Sequence, residues 1–246
     1  KQHPVTLLAS NVHEQQLKTD FQAMGFEHIG GAFFTQNQTE EREEIEADYL
    51  KVLELLNILE QSDSIDEIAS SFATHPEITL QLLQFLNSPA FGLTRSVKSI
   101  RHALLLIGRK DLRQWLLIMA FSRSASDNES ESPLLYTAQV RVALMQYLVE
   151  NLKDLPESVK NEASFVAVLS LLQPLIGISH QKLFETIAVD ASIEQAVTKY
   201  EGILGTLLEL CIASEHYNKA LAYILLQKIG MDPSLFEKAT LNGYKR

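Results

Sequence analysis

Two hydrophobic rhythms divide the chain. Near the N-terminus a short apolar run, Val5 to Ala9, is followed by a polar stretch in which Leu17, Phe21 and Met24 recur at helical spacing. Gly25 and a second apolar run, His28 to Thr35, come next. The pattern predicts strand, helix, strand. A lone unit of this kind cannot cover both faces of a parallel sheet, so it is expected to be the tail of a larger domain. The stretch Gln36 to Glu46 is polar and carries Glu40, Glu41, Glu43, Glu44 and Glu46. It reads as a linker passing into the first turn of a helix, where acids suit the dipole.

From Ala47 onward the rhythm is helical. Leu50, Leu53, Leu56 and Leu59 are expected to share one face, and Ser64 with Glu67 makes a capping box. Pro76, Pro133, Pro156 and Pro233 each suit a first helical position, with Ser132 and Asp232 as caps before two of them. Gly108 lies between two apolar helical patterns, as a stop should. The segment from Ser122 to Ser132 is Ser-rich and acidic and reads as a loop. About ten short helices follow, with loops of ordinary length and no repeat at solenoid spacing.

Composition narrows the function classes. At 246 residues and 46% apolar content, the chain is long enough for one full domain and an appendage. The formal net charge of -10 works against generic nucleic-acid binding, which needs clustered cations facing phosphates. No apolar stretch reaches about 18 residues, so neither a membrane span nor a signal peptide is expected, and the chain reads as cytoplasmic. The single cysteine, Cys211, sits in an apolar helical run and is expected to be a small core residue.

The most distinctive run is Leu82-Leu83-Gln84-Phe85-Leu86-Asn87-Ser88-Pro89-Ala90-Phe91-Gly92-Leu93, followed by Ser99-Ile100-Arg101-His102-Ala103-Leu104. It continues through Leu105-Leu106-Ile107-Gly108 into Leu112-Arg113-Gln114-Trp115-Leu116-Leu117. This closely resembles the HDOD family, a relative of the HD phosphohydrolases, and implies an all-α multi-helix bundle. Asn87, Ser88, Pro89, Phe91, Gly92, Ser99, Ala103 and Gly108 carry the likeness. An Asn and a Ser at a helix end before Pro, and a Ser before the next helix, are also what turns and caps demand. These residues are therefore expected to be architectural.

The N-terminal piece looks like the end of an EAL domain, the fold of cyclic di-GMP phosphodiesterases. The segment that family writes as Ala-Glu-Gly-Val-Glu reads Ala9-Ser10-Asn11-Val12-His13 here, so both acids are lost. Its Gln-Gly-Tyr-hydrophobic-Phe segment reads Gly30-Gly31-Ala32-Phe33-Phe34, losing the Gln. The likeness implies a degenerate EAL-like end over 1–39, an acidic linker over 40–46 and a helical HDOD domain over 47–246, as in the C-terminal half of bacterial EAL-HDOD signalling proteins.

Hydrolysis by an HD enzyme needs a His-Asp pair and further donors around a divalent metal. None of the seven histidines precedes an Asp. The best counterpart of the family's Leu-Leu-His-Asp-Ile-Gly segment is Leu171-Leu172-Gln173-Pro174-Leu175-Ile176-Gly177, in which Gln173 and Pro174 replace the pair. No phosphate loop, paired cysteines or nucleophile elbow is present. Gly202 and Gly205 read as helix-start packing, and His75 and His102 as capping or surface groups. An unorthodox metal site would have to draw on scattered groups such as His180 and Glu185.

One basic cluster stands against the acidic background. Arg95, Lys98, Arg101, Arg109, Lys110 and Arg113 fall within nineteen positions, beside Trp115. Such a patch could receive a partner's carboxylates or a nucleotide phosphate; equally, it could be solvated charge near helix ends. The reading that results is a non-catalytic regulatory or scaffold module of a bacterial, cyclic di-GMP-related pathway. It is expected to use no metal or cofactor and to act through protein partners, with a homodimer left open and neither nucleic acid nor membrane involved. The alternatives are a nucleotide-binding sensor using the basic cluster and, behind it, a metal-dependent HD-type phosphohydrolase.

Overall fold

The computed structural model describes residues 7–10, 12, 14–31, 35, 46–89, 96–123, 133–177 and 179–243. At the N-terminus, β1 (Leu8–Ala9) and β2 (His28–Ile29) flank α1 (Gln15–Ala23). The strands pair in parallel, Leu8 against His28 and Ala9 against Ile29. The Gly30 amide adds a bond to the Ala9 carbonyl at 2.8 Å. The strand, helix, strand order is thus present in a two-stranded form, and most of the acidic linker lies outside the described residues.

Twelve further helices follow among the described residues. They are α2 (Ala47–Gln61), α3 (Ile65–Ala73), α4 (Pro76–Leu86), α5 (Ile100–Arg123), α6 (Pro133–Asn151), α7 (Glu157–Leu169), α8 (Leu172–Ile176), α9 (His180–Thr186), α10 (Ala191–Lys199), α11 (Gly202–Glu215), α12 (Lys219–Lys228) and α13 (Pro233–Gly243). The count exceeds about ten because α8 and α9 are single short pieces. Gly108 does separate two helical segments, since α5 kinks there with the glycine at φ 78°.

Local details adjust three expectations. The Ser64 hydroxyl accepts the Glu67 amide, but the Glu67 carboxylate turns to the Ser62 hydroxyl at 2.6 Å, and Ser62 in turn accepts the Ser64 amide. The capping box is closed through a third residue. Leu50 is exposed, and α2 buries Tyr49, Val52, Leu53, Leu55, Leu56 and Leu59 instead, a wider face because neighbours cover it from two sides. Pro156 is the N-cap of α7 and not its first helical residue. Asp232 caps as expected, accepting the Ser234 amide at 2.8 Å.

A single core cluster runs from Tyr49 to Phe236. Its hub is α7, whose Ala163 to Leu169 are all buried and which touches α5, α6, α10 and α11. A helix apolar on every side belongs at such a centre. Cys211 on α11 is fully buried. Gly205 has its reason in packing: a Cβ there would lie 2.3 Å from the carbonyl carbon of Tyr200, so only glycine lets the incoming chain approach. Among the described residues no single helix is long and apolar enough to cross a membrane.

Candidate functional site

The turn after α4 is held by one side chain. The Asn87 Nδ2 donates to the carbonyls of Leu83 and Val97 at 2.7 and 2.8 Å, and its Oδ1 accepts the Val97 amide at 2.7 Å. Asn87 therefore satisfies the end of α4 and pins the start of the segment leading into α5. The Ser88 amide bonds the Phe85 carbonyl at 3.1 Å, and Pro89 follows in the same turn. The Ser99 hydroxyl accepts the His102 amide at 3.2 Å, capping α5, and Ala103 is fully buried one turn on. Phe91, Gly92 and Arg95 lie outside the described residues.

Arg101, Arg109, Lys110 and Arg113 are spread along α5 and each meets polar groups from elsewhere in the bundle. Arg101 pairs with Asp66, and Arg109 with Asp63 and the Leu59 carbonyl. Lys110 donates to Asn161 at 2.8 Å. Arg113 reaches Glu60 at 3.0 Å and Glu162 at 2.7 Å, with its guanidinium 3.7 Å from the centre of the Phe165 ring. Glu60, Arg109, Lys110, Arg113, Asn161 and Glu162 line one shallow cleft of about 240 Å³. Lys98 is exposed just before α5, and Trp115 is buried 6.2 Å from Phe85. The sequence counted the cations and missed Glu60 and Glu162, which stand 53 and 49 positions from Arg113.

A second polar centre, unread in the sequence, lies inside the bundle. Arg141 on α6 grips Glu215 at the end of α11 with two bonds, Nε to Oε1 at 2.8 Å and Nη2 to Oε2 at 2.5 Å. Its Nη1 donates to the Ser170 hydroxyl at 2.7 Å, and that hydroxyl donates to the Ala167 carbonyl. Burial opposes the charge on Arg141, but Glu215 outweighs it and holds the guanidinium protonated. The Cys211 thiol is pushed far up by burial, with Glu215 adding to the effect. Burial also raises the Tyr200 phenol. The one local signal was an arginine inside the apolar run Val140-Arg141-Val142-Ala143-Leu144.

His180, the first residue of α9, borders this centre. Burial lowers its pKa below 6.5 and the Arg141 charge lowers it further, against a hydrogen bond with the Ser170 backbone. Its Nε2 is enclosed without a hydrogen-bond partner, and its ring stacks on Phe184 at 6.2 Å. Glu185 is exposed and faces Gln181, so the two groups do not share a surface. Gln173 and Pro174 are buried in α8, a few residues past Ser170. Among the described residues no group of three or more His, Cys, Asp or Glu could hold a metal ion. His75 lies 3.3 Å from Glu54, and His102 is exposed on the first turn of α5.

Comparison with known proteins places these features in a family. The chain is 22% identical over 198 residues to the uncharacterized protein YuxH of Bacillus subtilis, covering 79% of this chain and 47% of that protein. It is 24% identical over 188 residues to a Vibrio cholerae protein named cyclic di-GMP phosphodiesterase CdgJ, covering 76% and 42%. The chain thus spans about half the length of these relatives. No solved structure matches it. The HDOD domain matches residues 49–180, from α2 through the Asn87 turn and the basic stretch of α5 to His180, and the chain belongs to the HDOD domain family.

Proposed function

We propose that this chain is a non-catalytic signal-transduction module of a bacterial, cyclic di-GMP-related pathway, serving as a regulatory or scaffold domain through protein–protein contacts. The carrying observation is Arg141. Its permanent positive charge is bonded to Ser170, three residues before the Gln173-Pro174 pair that stands where HD enzymes write His-Asp. A guanidinium held at the end of α7, just before that pair in the chain, disfavours a divalent cation beside it, and Glu215, its carboxylate partner among the described residues, is already committed in two bonds.

Within this reading, 1–39 is the end of a degenerate EAL domain, 40–46 the acidic linker and 47–246 the helical module. The parallel pairing of β1 with β2 supports the first part, and the name of the Vibrio cholerae relative supports the pathway. Lys98, just before α5, and the outer faces of Arg101, Arg109 and Lys110 along it are offered to a protein partner.

The test is direct. The purified chain is incubated with cyclic di-GMP and Mn²⁺ or Mg²⁺, products are separated by chromatography, and metal binding is followed by calorimetry. No turnover and no stoichiometric metal binding are expected. Hydrolysis that rises with metal and disappears on chelation would overturn the reading.

A further inference from the structure

We infer that the groove between α11, α12 and α13 binds a guanine mononucleotide, an input site separate from the Arg141 centre and from the α5 cleft. This goes beyond the proposed function and stands whether or not the chain catalyses a reaction. The groove encloses about 540 Å³, within the range of small-ligand sites. Its floor is apolar: Ala213, Ala222, Leu226 and Phe236 are each at most 8% exposed. Tyr217 and Tyr223 stand on its wall, 70% and 54% exposed.

The backbone holds Tyr217 at the groove in a fixed turn. Helices α11 and α12 end in the same motif. After α11 the Asn218 amide reaches back to the Ala213 carbonyl at 2.8 Å and the Tyr217 amide to that of Ser214 at 3.1 Å. After α12 the Met231 amide reaches the Leu226 carbonyl and the Gly230 amide that of Gln227. Both motifs need a left-handed residue, and α12 supplies glycine at φ 65°. At the equivalent position α11 puts a tyrosine at φ 53°, a conformation an L side chain resists, and leaves its ring in solvent. The Asn218 side chain then caps α12 by accepting the Leu221 amide at 3.1 Å, so the turn is fixed on both sides. Tyr200 ends α10 in the same conformation at φ 56° without lining the groove, so it is the exposed Tyr217 ring held beside a cavity, and not the strain alone, that points to a ligand contact.

The polar groups at the rim define the ligand. Each of the two exposed phenol rings beside the apolar floor offers a face on which a base can stack. Glu237 supplies a carboxylate, which accepts the two donors on the Watson–Crick edge of guanine, N1–H and the 2-amino group. Adenine presents an acceptor at N1 and is disfavoured there. Lys219, on the opposite helix of the groove, supplies an ammonium for one phosphate.

Isothermal titration of the purified chain with GMP, AMP and guanosine tests this. Saturable binding of GMP is expected, with AMP and guanosine each roughly tenfold weaker or more. Tyr217→Gly should weaken GMP at least about tenfold while leaving the melting temperature equal or higher, because glycine relieves the backbone; misfolding therefore cannot mimic the result. Glu237→Gln should reduce the preference for GMP over AMP, and Lys219→Ala the preference for GMP over guanosine. Absence of saturable GMP binding, unchanged binding in Tyr217→Gly, or equal affinity for AMP would each overturn the assignment.

Discussion

Arg113 and Arg141 meet the same problem in two places and solve it differently. Arg113, on α5, lies at a cleft with Glu60 and Glu162 18% and 31% exposed, so water still reaches the carboxylates. Arg141, on α6, is 3% exposed and its partner Glu215 11%. Arg113, its own side chain only 9% exposed, ties α2, α5 and α7 beneath that cleft; Arg141 ties α6 to α11 through the core. Screening by solvent weakens the first, whereas loss of hydration makes the second costly to form and more costly to break. The comparison teaches that the basic stretch on α5 contributes to assembling the bundle, and that the deeper ionic centre is where substitution should be felt most.

The largest expected effect follows from breaking the inner pair. Glu215→Gln leaves a buried guanidinium without its counter-charge, and the chain should lose about 3–5 kcal/mol of stability in urea unfolding. The double variant Arg141→Met/Glu215→Leu removes both charges and should recover most of that loss. If the single and double variants were equally damaged, burial of apolar volume and not the charge would be what matters there.

At the surface cleft the effect should be smaller. Arg113→Met keeps the contact with the Phe165 ring but removes two charged hydrogen bonds, and about 1–3 kcal/mol is expected from the same measurement. Adding salt should narrow the difference between wild type and Arg113→Met and barely touch that between wild type and Glu215→Gln. A loss at Arg113 equal to the one at Glu215 would erase the distinction between the regions.

What the sequence disclosed follows the same division. Features set by near neighbours were legible: the Ser64 and Ser99 caps, the break at Gly108, the N-terminal strand, helix, strand order, and the close packing at Gly205. Asn87 was visible as a helix end, although its grip on Val97, ten positions on, was not. The carboxylate partners of Arg113 and Arg141 come from 49 to 74 positions away and leave no periodic trace. Leu50 misled because spacing alone cannot tell which edge of an apolar face a neighbouring helix will cover. The αL tyrosine at 217 was hidden for a related reason: the glycine that usually announces such a helix end is missing.

The smallest effect, and the finest test of the inner centre, is its response to acid. His180 is held neutral by burial and by the Arg141 charge, so its folded pKa lies below the 6.5 of a free imidazole. In the unfolded chain it takes up a proton as pH falls through about 6.5, while in the fold it does not. The stability it contributes is therefore complete above that value and is lost as pH falls toward the folded pKa. Unfolding in urea at pH 7.5 and 5.5 should show a loss on acidification that is reduced in His180→Gln, a change that titrates one group and breaks no ion pair. In Arg141→Met/Glu215→Leu the cation is gone and only burial remains, so the His180 contribution to that loss should shrink but persist. A loss of the same size in wild type and His180→Gln would place the acid sensitivity elsewhere and uncouple this imidazole from the ionic centre.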